Sequence, residues 1–123
     1  MLRGKILLID DEIGVRDFLK FYFEDRDFDV DTACHGLEGV EKFSAGNFDL
    51  VICDMMMPQM LGIEVLRRIK ELKPEQLVIM MTGVKESSMV EKAKKLGCSH
   101  YLTKPVSLSD VEAKVNECLP PAE

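Results

Sequence analysis

Lys5-Ile6-Leu7-Leu8-Ile9 is an apolar run that ends against two adjacent carboxylates, Asp10 and Asp11. Leu50-Val51-Ile52-Cys53-Asp54 has the same form, and Leu77-Val78-Ile79-Met80-Met81 closes on Thr82. Such runs are continuous rather than alternating, which predicts central strands of a parallel sheet covered on both faces. Two further segments, Asp29 to Ala33 and His100 to Thr103, read as edge strands, and the second leads into Lys104. Between the strands, Val15, Phe18, Leu19 and Tyr22 recur at helical spacing, as do Ile63, Leu66, Ile69 and Leu72, and core packing is the expectation for all of them. A last helix carries Leu108, Val111, Val115 and Cys118 on one face, with Ser107 and Asp110 spaced as a capping box, and Pro120-Pro121 ends it. The second helix, Leu37 to Phe43, has glycines at 36 and 39; an interior Gly costs about 1 kcal/mol relative to Ala, so this helix is expected to be the least secure. Strands alternating with helices predict an α/β fold, a (βα)5 doubly wound five-stranded parallel sheet.

The chain has 123 residues, 46% of them hydrophobic. That suits a single domain, 1–119, with 120–123 as a tail or the start of a linker. The formal charge of −6 disfavours direct binding to nucleic acid or to an anionic membrane, because the phosphate field repels it. No apolar run is long enough to span a bilayer and no signal peptide is visible, so a cytoplasmic location is expected. Cys34, Cys53, Cys98 and Cys118 include no CxxC pair. They read as small buried residues, and Cys34-His35 and Cys98-Ser99-His100 are weak as metal motifs without a second spaced pair.

In doubly wound sheets, ligands bind beyond the carboxyl ends of the strands, where the strand order reverses. Asp10, Asp11, Asp54, Thr82 and Lys104 all stand at such ends, and a strand order of 2-1-3-4-5 makes the three carboxylates converge. Each acid by itself also reads as a helix N-cap or first-turn charge, as Asp11 or Glu12 can be. Together they require a cation, since two charges about 4 Å apart repel by roughly 4 kcal/mol at an effective dielectric near 20. A hard, oxygen-liganded ion such as Mg²⁺ suits the set, with the Lys104 ammonium as a further positive charge. A carboxylate nucleophile beside a metal, an ammonium and a hydroxyl points to phosphoryl transfer.

The segments Ile6 to Glu12, Asp49 to Pro58, Met81-Thr82-Gly83 and Tyr101-Leu102-Thr103-Lys104-Pro105 resemble, in order, the signature blocks of response-regulator receiver domains of two-component signalling, of which the chemotaxis regulators are one kind. The resemblance implies a flavodoxin-like topology and phosphorylation of Asp54 by a sensor histidine kinase or a phosphotransfer protein. It implies Mg²⁺ held by Asp10, Asp11, Asp54 and the backbone carbonyl of Met56, and phosphoryl contacts from Thr82 and Lys104. Tyr101 matches the aromatic residue that moves inward with Thr82; from the sequence alone it reads rather as an edge-strand residue with a solvated hydroxyl. Output is expected through the fourth helix, fifth strand and fifth helix to a downstream effector domain or protein, with Lys85, Glu86, Glu91, Lys92, Lys94 and Lys95 as exposed charges. Such a chain is a phosphoacceptor that assists its own phosphorylation and slow dephosphorylation rather than an enzyme in the ordinary sense.

Departures from the family pattern are Leu61, where Asp often precedes the glycine opening the third helix, His100 in place of a frequent Asp, and the triplet Met55-Met56-Met57. Leu61 leaves that helix start less well capped, and His100 is expected to be structural. Met56 and Val84 overlook the path of an attacking water, and neither side chain can hold or deprotonate one, which implies slow loss of the phosphoryl group. A flavin mononucleotide carrier shares the topology, but Asp10 and Asp11 repel its phosphate. A haloacid-dehalogenase-type phosphatase needs an Asp-x-Asp motif that is absent after the first strand. The remaining alternative is a receiver-like interaction module that is not phosphorylated.

Overall fold

A computed structural model describes residues 2–83 and 87–121. Five strands alternate with five helices: β1 (Gly4–Ile9), α1 (Ile13–Glu24), β2 (Phe28–Ala33), α2 (Gly36–Ala45), β3 (Leu50–Asp54), α3 (Gly62–Leu72), β4 (Val78–Thr82), α4 (Ser87–Lys95), β5 (His100–Thr103) and α5 (Leu108–Cys118). All pairings are parallel, and the sheet order is β2-β1-β3-β4-β5. The direction of winding therefore reverses between β1 and β3.

The strand side chains alternate between two apolar layers, as the period of two along a strand requires. Leu7, Ile9, Val51, Cys53 and Met80 face α2, α3 and α4, where Phe43, Val65, Leu66, Ile69 and Ala93 close that side. Ile6, Leu8, Leu50, Ile52, Ile79 and Met81 face α1 and α5, against Leu19, Phe23, Val111 and Val115. Every residue of β3 and β4 is buried, whereas β5 buries only Leu102, as an edge strand should.

The helical stripes are narrower than their spacing suggests. Phe18 is 54% exposed and Leu72 is 56% exposed, so neither belongs to the core. Phe23 and Val65 take that role instead, because the buried face of each helix is rotated toward them. The α2 glycines have a packing reason: a Cβ on Gly39 would lie 2.5 Å from Cδ1 of Ile9, so the helix reaches β1 only without one. Leu61 at the N-cap of α3 makes no side-chain cap bond, whereas Ser107 accepts from the Asp110 N–H and caps α5. His100 has a partner that the sequence did not identify, since its Nε2 lies 3.2 Å from Glu117 Oε2 on α5. Among the cysteines, Cys53 is buried and Cys98 and Cys118 are partly so, but Cys34 is exposed, which corrects its reading as a buried residue. No described helix is long and apolar enough to cross a membrane.

Candidate functional site

Parallel register brings the ends of β1, β3, β4 and β5 to one rim. Ile9 pairs with Cys53, Asp54 with Met81 and Thr82 with Thr103, so Asp10, Asp54, Thr82 and Lys104 lie at or one step beyond the strand ends. Backbone bonds extend this beyond the ladders: Met55 N–H donates to Met81 O at 2.7 Å, and Lys104 N–H donates to Thr82 O at 2.7 Å. Gly62 opens α3 directly beneath this rim. Its N–H donates to Met55 O at 2.8 Å, and a Cβ there would sit 2.1 Å from the Asp54 carbonyl oxygen. Only glycine allows α3 to start that close to the acid.

Lys104 is the positive centre of the pocket. Its Nζ donates to Asp54 Oδ2 at 2.9 Å and to Glu12 Oε1 at 3.2 Å, and it lies 3.8 Å from Asp10 Oδ2. Burial opposes its charge, but the Asp54 bond and the charges of Asp10 and Asp54 prevail and raise its pKa. Asp54 Oδ1 accepts from the Met56 N–H at 3.3 Å. Burial is the main influence on Asp54 and raises its pKa, with Lys104 opposing and the Asp11 charge adding to the rise. Asp10 is fully buried and is pushed up to about 6, first by burial and then by the Asp54 charge, against the Glu12 N–H that its Oδ1 accepts at 2.9 Å.

Asp10 Oδ2 is buried with no hydrogen-bond partner among the described residues, and 3.8 Å to Lys104 is an ion-pair distance, too long for a hydrogen bond. A buried carboxylate oxygen that has only a long ion-pair contact and no hydrogen bond, and that faces a second carboxylate, fits a cation ligand better than a structural acid. Candidate ligand atoms of Asp10, Glu12 and Asp54 lie within 4.8 Å of one another. An all-oxygen donor set of this kind suits Mg²⁺, which keeps several waters and needs few carboxylates.

The sequence thus located Asp10, Asp54, Thr82 and Lys104, which converge here. Asp11 is exposed and outside the tight group of ligand atoms, although its charge reaches Asp54. Glu12 was legible only as a helix-start charge; its backbone is the N-cap of α1, but its side chain makes no cap bond and turns to Lys104. The third consecutive acid was the available signal. Met56 is 47% exposed while Met55 and Met57 pack inside, so the loop packing expected for Met57 is what forms. Thr82 is buried at the end of β4, and its hydroxyl lies 3.3 Å from Gly83 O. Tyr101 is 39% exposed with Lys94 Nζ 5.0 Å from its ring centroid, an outward position. Val84, Lys85 and Glu86 lie outside the described residues.

Residues 6–116 match the family model described as the response regulator receiver domain. Sporulation initiation phosphotransferase F of Bacillus subtilis is 33% identical over 98% of this chain and 97% of its own length. The transcriptional regulatory protein ResD of the same organism is 35% identical over 94% of this chain but 48% of its own length, so the chain spans about half of that relative. A crystal structure of a response regulator receiver domain protein from Clostridium thermocellum superimposes with a TM-score of 0.89 at 36% identity, covering 94% of both chains.

Proposed function

Because this chain belongs to the response regulator receiver domain family, we propose that it is a phosphoacceptor switch with Asp54 as the acceptor. The observation that carries this reading is Asp10 Oδ2, buried and without a hydrogen bond next to the Asp54–Lys104 pair. We assign the Mg²⁺ ligands to Asp10, Asp11, Asp54 and the Met56 carbonyl, with Glu12 as a neighbouring acid that holds Lys104 at rest. When bound, Mg²⁺ neutralises charge on the phosphoryl oxygens.

The residues of the chain do the rest. An Asp54 carboxylate oxygen attacks the phosphorus of a phosphohistidine presented by a sensor histidine kinase or phosphotransfer protein. The new O–P bond forms as the P–N bond breaks, and its electron pair leaves with the imidazole. Lys104 follows the negative charge from Asp54 to the phosphoryl oxygens, and the Thr82 hydroxyl donates to another of them. Moving Thr82 toward that oxygen vacates space on its other side. A shallow cavity of about 290 Å³, lined by Thr82, Val90, Glu91, Lys94 and Tyr101 among others, gives the Tyr101 ring room to follow. Output then passes through α4, β5 and α5 to an effector domain or protein.

Beryllofluoride or acetyl phosphate with Mg²⁺ should modify the chain at Asp54 and leave Asp54→Asn unmodified, with amide shifts in α4 and at Tyr101. Undiminished labelling of Asp54→Asn would sink the assignment. Failure of the wild type to label in Mg²⁺ would favour an interaction module that is not phosphorylated. Asp11→Ala should abolish Mg²⁺ binding, and an unchanged Mg²⁺ titration would transfer the ligand role to Glu12.

A further inference from the structure

At the corner between β2 and α2, outside the acidic pocket, three side chains of a different chemistry converge. Candidate ligand atoms of Cys34, His35 and Glu38 all lie within 4.8 Å of one another, with Cys34 and His35 exposed. Local structure makes this convergence. His35 is the N-cap of α2, and its Nδ1 accepts from the Glu38 N–H at 3.1 Å. Glu38 Oε1 reaches back to accept from the Cys34 N–H at 2.7 Å. The pattern resembles a capping box, with an imidazole in place of a hydroxyl and the return bond made to the residue before the N-cap, and it brings the three groups to one corner. Glu38 is held below the usual carboxylate range, first by the Cys34 backbone bond and further by the Cys34 side chain and Lys42, with burial opposing.

We propose that Cys34, His35 and Glu38 form a binding site for a borderline transition-metal dication of the Zn²⁺ class, separate from the acidic pocket. Sulfur, nitrogen and oxygen donors together suit Zn²⁺ or Co²⁺ and not Mg²⁺, which takes oxygen alone. Bonds of about 2.0–2.3 Å from a tetrahedral ion place ligand pairs roughly 3.3–3.8 Å apart, so groups that stand no more than 4.8 Å apart need to close by about 1.5 Å at most. Rotation of the exposed Cys34 and His35 side chains toward the partly buried Glu38 supplies that. On binding, the Cys34 thiol loses its proton to solvent, a His35 ring nitrogen gives its lone pair, and Glu38 gives a carboxylate oxygen. Water takes the fourth position. Ligation through either ring nitrogen displaces the Nδ1 cap, because a ring bound through Nε2 carries its proton on Nδ1. The ion therefore takes over the tie between the end of β2 and the first turn of α2.

The test uses the full chain with Zn²⁺ or Co²⁺ alone as probe, in millimolar Mg²⁺ to occupy the acidic pocket. One-to-one binding, a thiolate-to-Co²⁺ charge-transfer absorption, and slowing of Cys34 alkylation by about tenfold or more are expected on adding the metal, whereas Mg²⁺ alone leaves alkylation unchanged. Cys34→Ser should remove the absorption. His35→Asn and Glu38→Gln keep groups able to cap α2 and should weaken Zn²⁺ binding by about tenfold or more, while Asp54→Asn should bind as the wild type does. Zn²⁺ binding retained in Cys34→Ser but lost in Asp54→Asn, or Cys34 alkylation indifferent to Zn²⁺, overturns the proposal.

Discussion

Replacing Asp10 with Asn should make the metal-free protein more stable, although it removes a residue of the site. Asp10 has a pKa of about 6 in the fold against an ordinary value of 3.8, with burial the largest cause. The folded protein thus binds the Asp10 proton more tightly than the unfolded chain does. The stability tied to that proton is fully present below 3.8 and is lost as pH rises to about 6. At neutral pH the ionised carboxylate therefore costs the fold about 3 kcal/mol, taking 1.36 kcal/mol per pKa unit. Asn keeps an oxygen for the Glu12 N–H, bonded at 2.9 Å in the wild type, and carries no charge, so it should recover about 2–3 kcal/mol of this. For a domain of this size that raises Tm by roughly 6–12 °C. Thermal unfolding followed by far-ultraviolet circular dichroism in a chelator is the assay, run near pH 7.5 and near pH 4. The gain should be full at the higher pH and nearly absent at the lower. Acids away from the pocket titrate alike in both proteins and cancel from the difference, whereas Asp54, whose charge adds to the Asp10 shift, is relieved by the same substitution. Millimolar Mg²⁺ should raise the wild-type Tm and leave that of Asp10→Asn nearly unchanged. An equal or lower Tm for Asp10→Asn in chelator near pH 7.5 would refute the argument that Asp10 is held ionised against its surroundings.

Leu61→Asp should stabilise the fold by about 1 kcal/mol, read as a rise in the urea midpoint at unchanged slope, because the N-cap of α3 has extended dihedrals but no side-chain acceptor. Gly62→Ala should destabilise by about 2 kcal/mol or more and slow labelling by acetyl phosphate, since the added Cβ meets the Asp54 carbonyl at 2.1 Å; a labelling rate equal to wild type would mean α3 can shift without disturbing Asp54. Met56→Asn or Met56→Glu should shorten the lifetime of phosphorylated protein in Mg²⁺ by about tenfold or more, because either side chain can position water where the exposed Met56 cannot. Unchanged decay in both variants would place control of water access elsewhere.

The apolar runs of β1, β3 and β4 declared themselves in the sequence because strands buried on both faces need no polar alternation, and each run ends at a chemical group. Asp10, Asp54, Thr82 and Lys104 were therefore legible as ends of strands, and the strand order put them on one rim. Helix faces were less legible. Phe18 and Leu72 share the spacing of core residues, yet the sheet covers only part of each helix, and which part depends on how the helix is rotated against it. Pairings distant in sequence were beyond local reading: His100 with Glu117, and Glu12 with Lys104 instead of its own helix end. The Asp10 oxygen without a hydrogen bond also belongs to the tertiary structure alone, since it arises from neighbours on other strands that exclude water. Residue type and strand position fixed which groups meet; close packing decided which of them remain short of a partner, and so where a cation is needed.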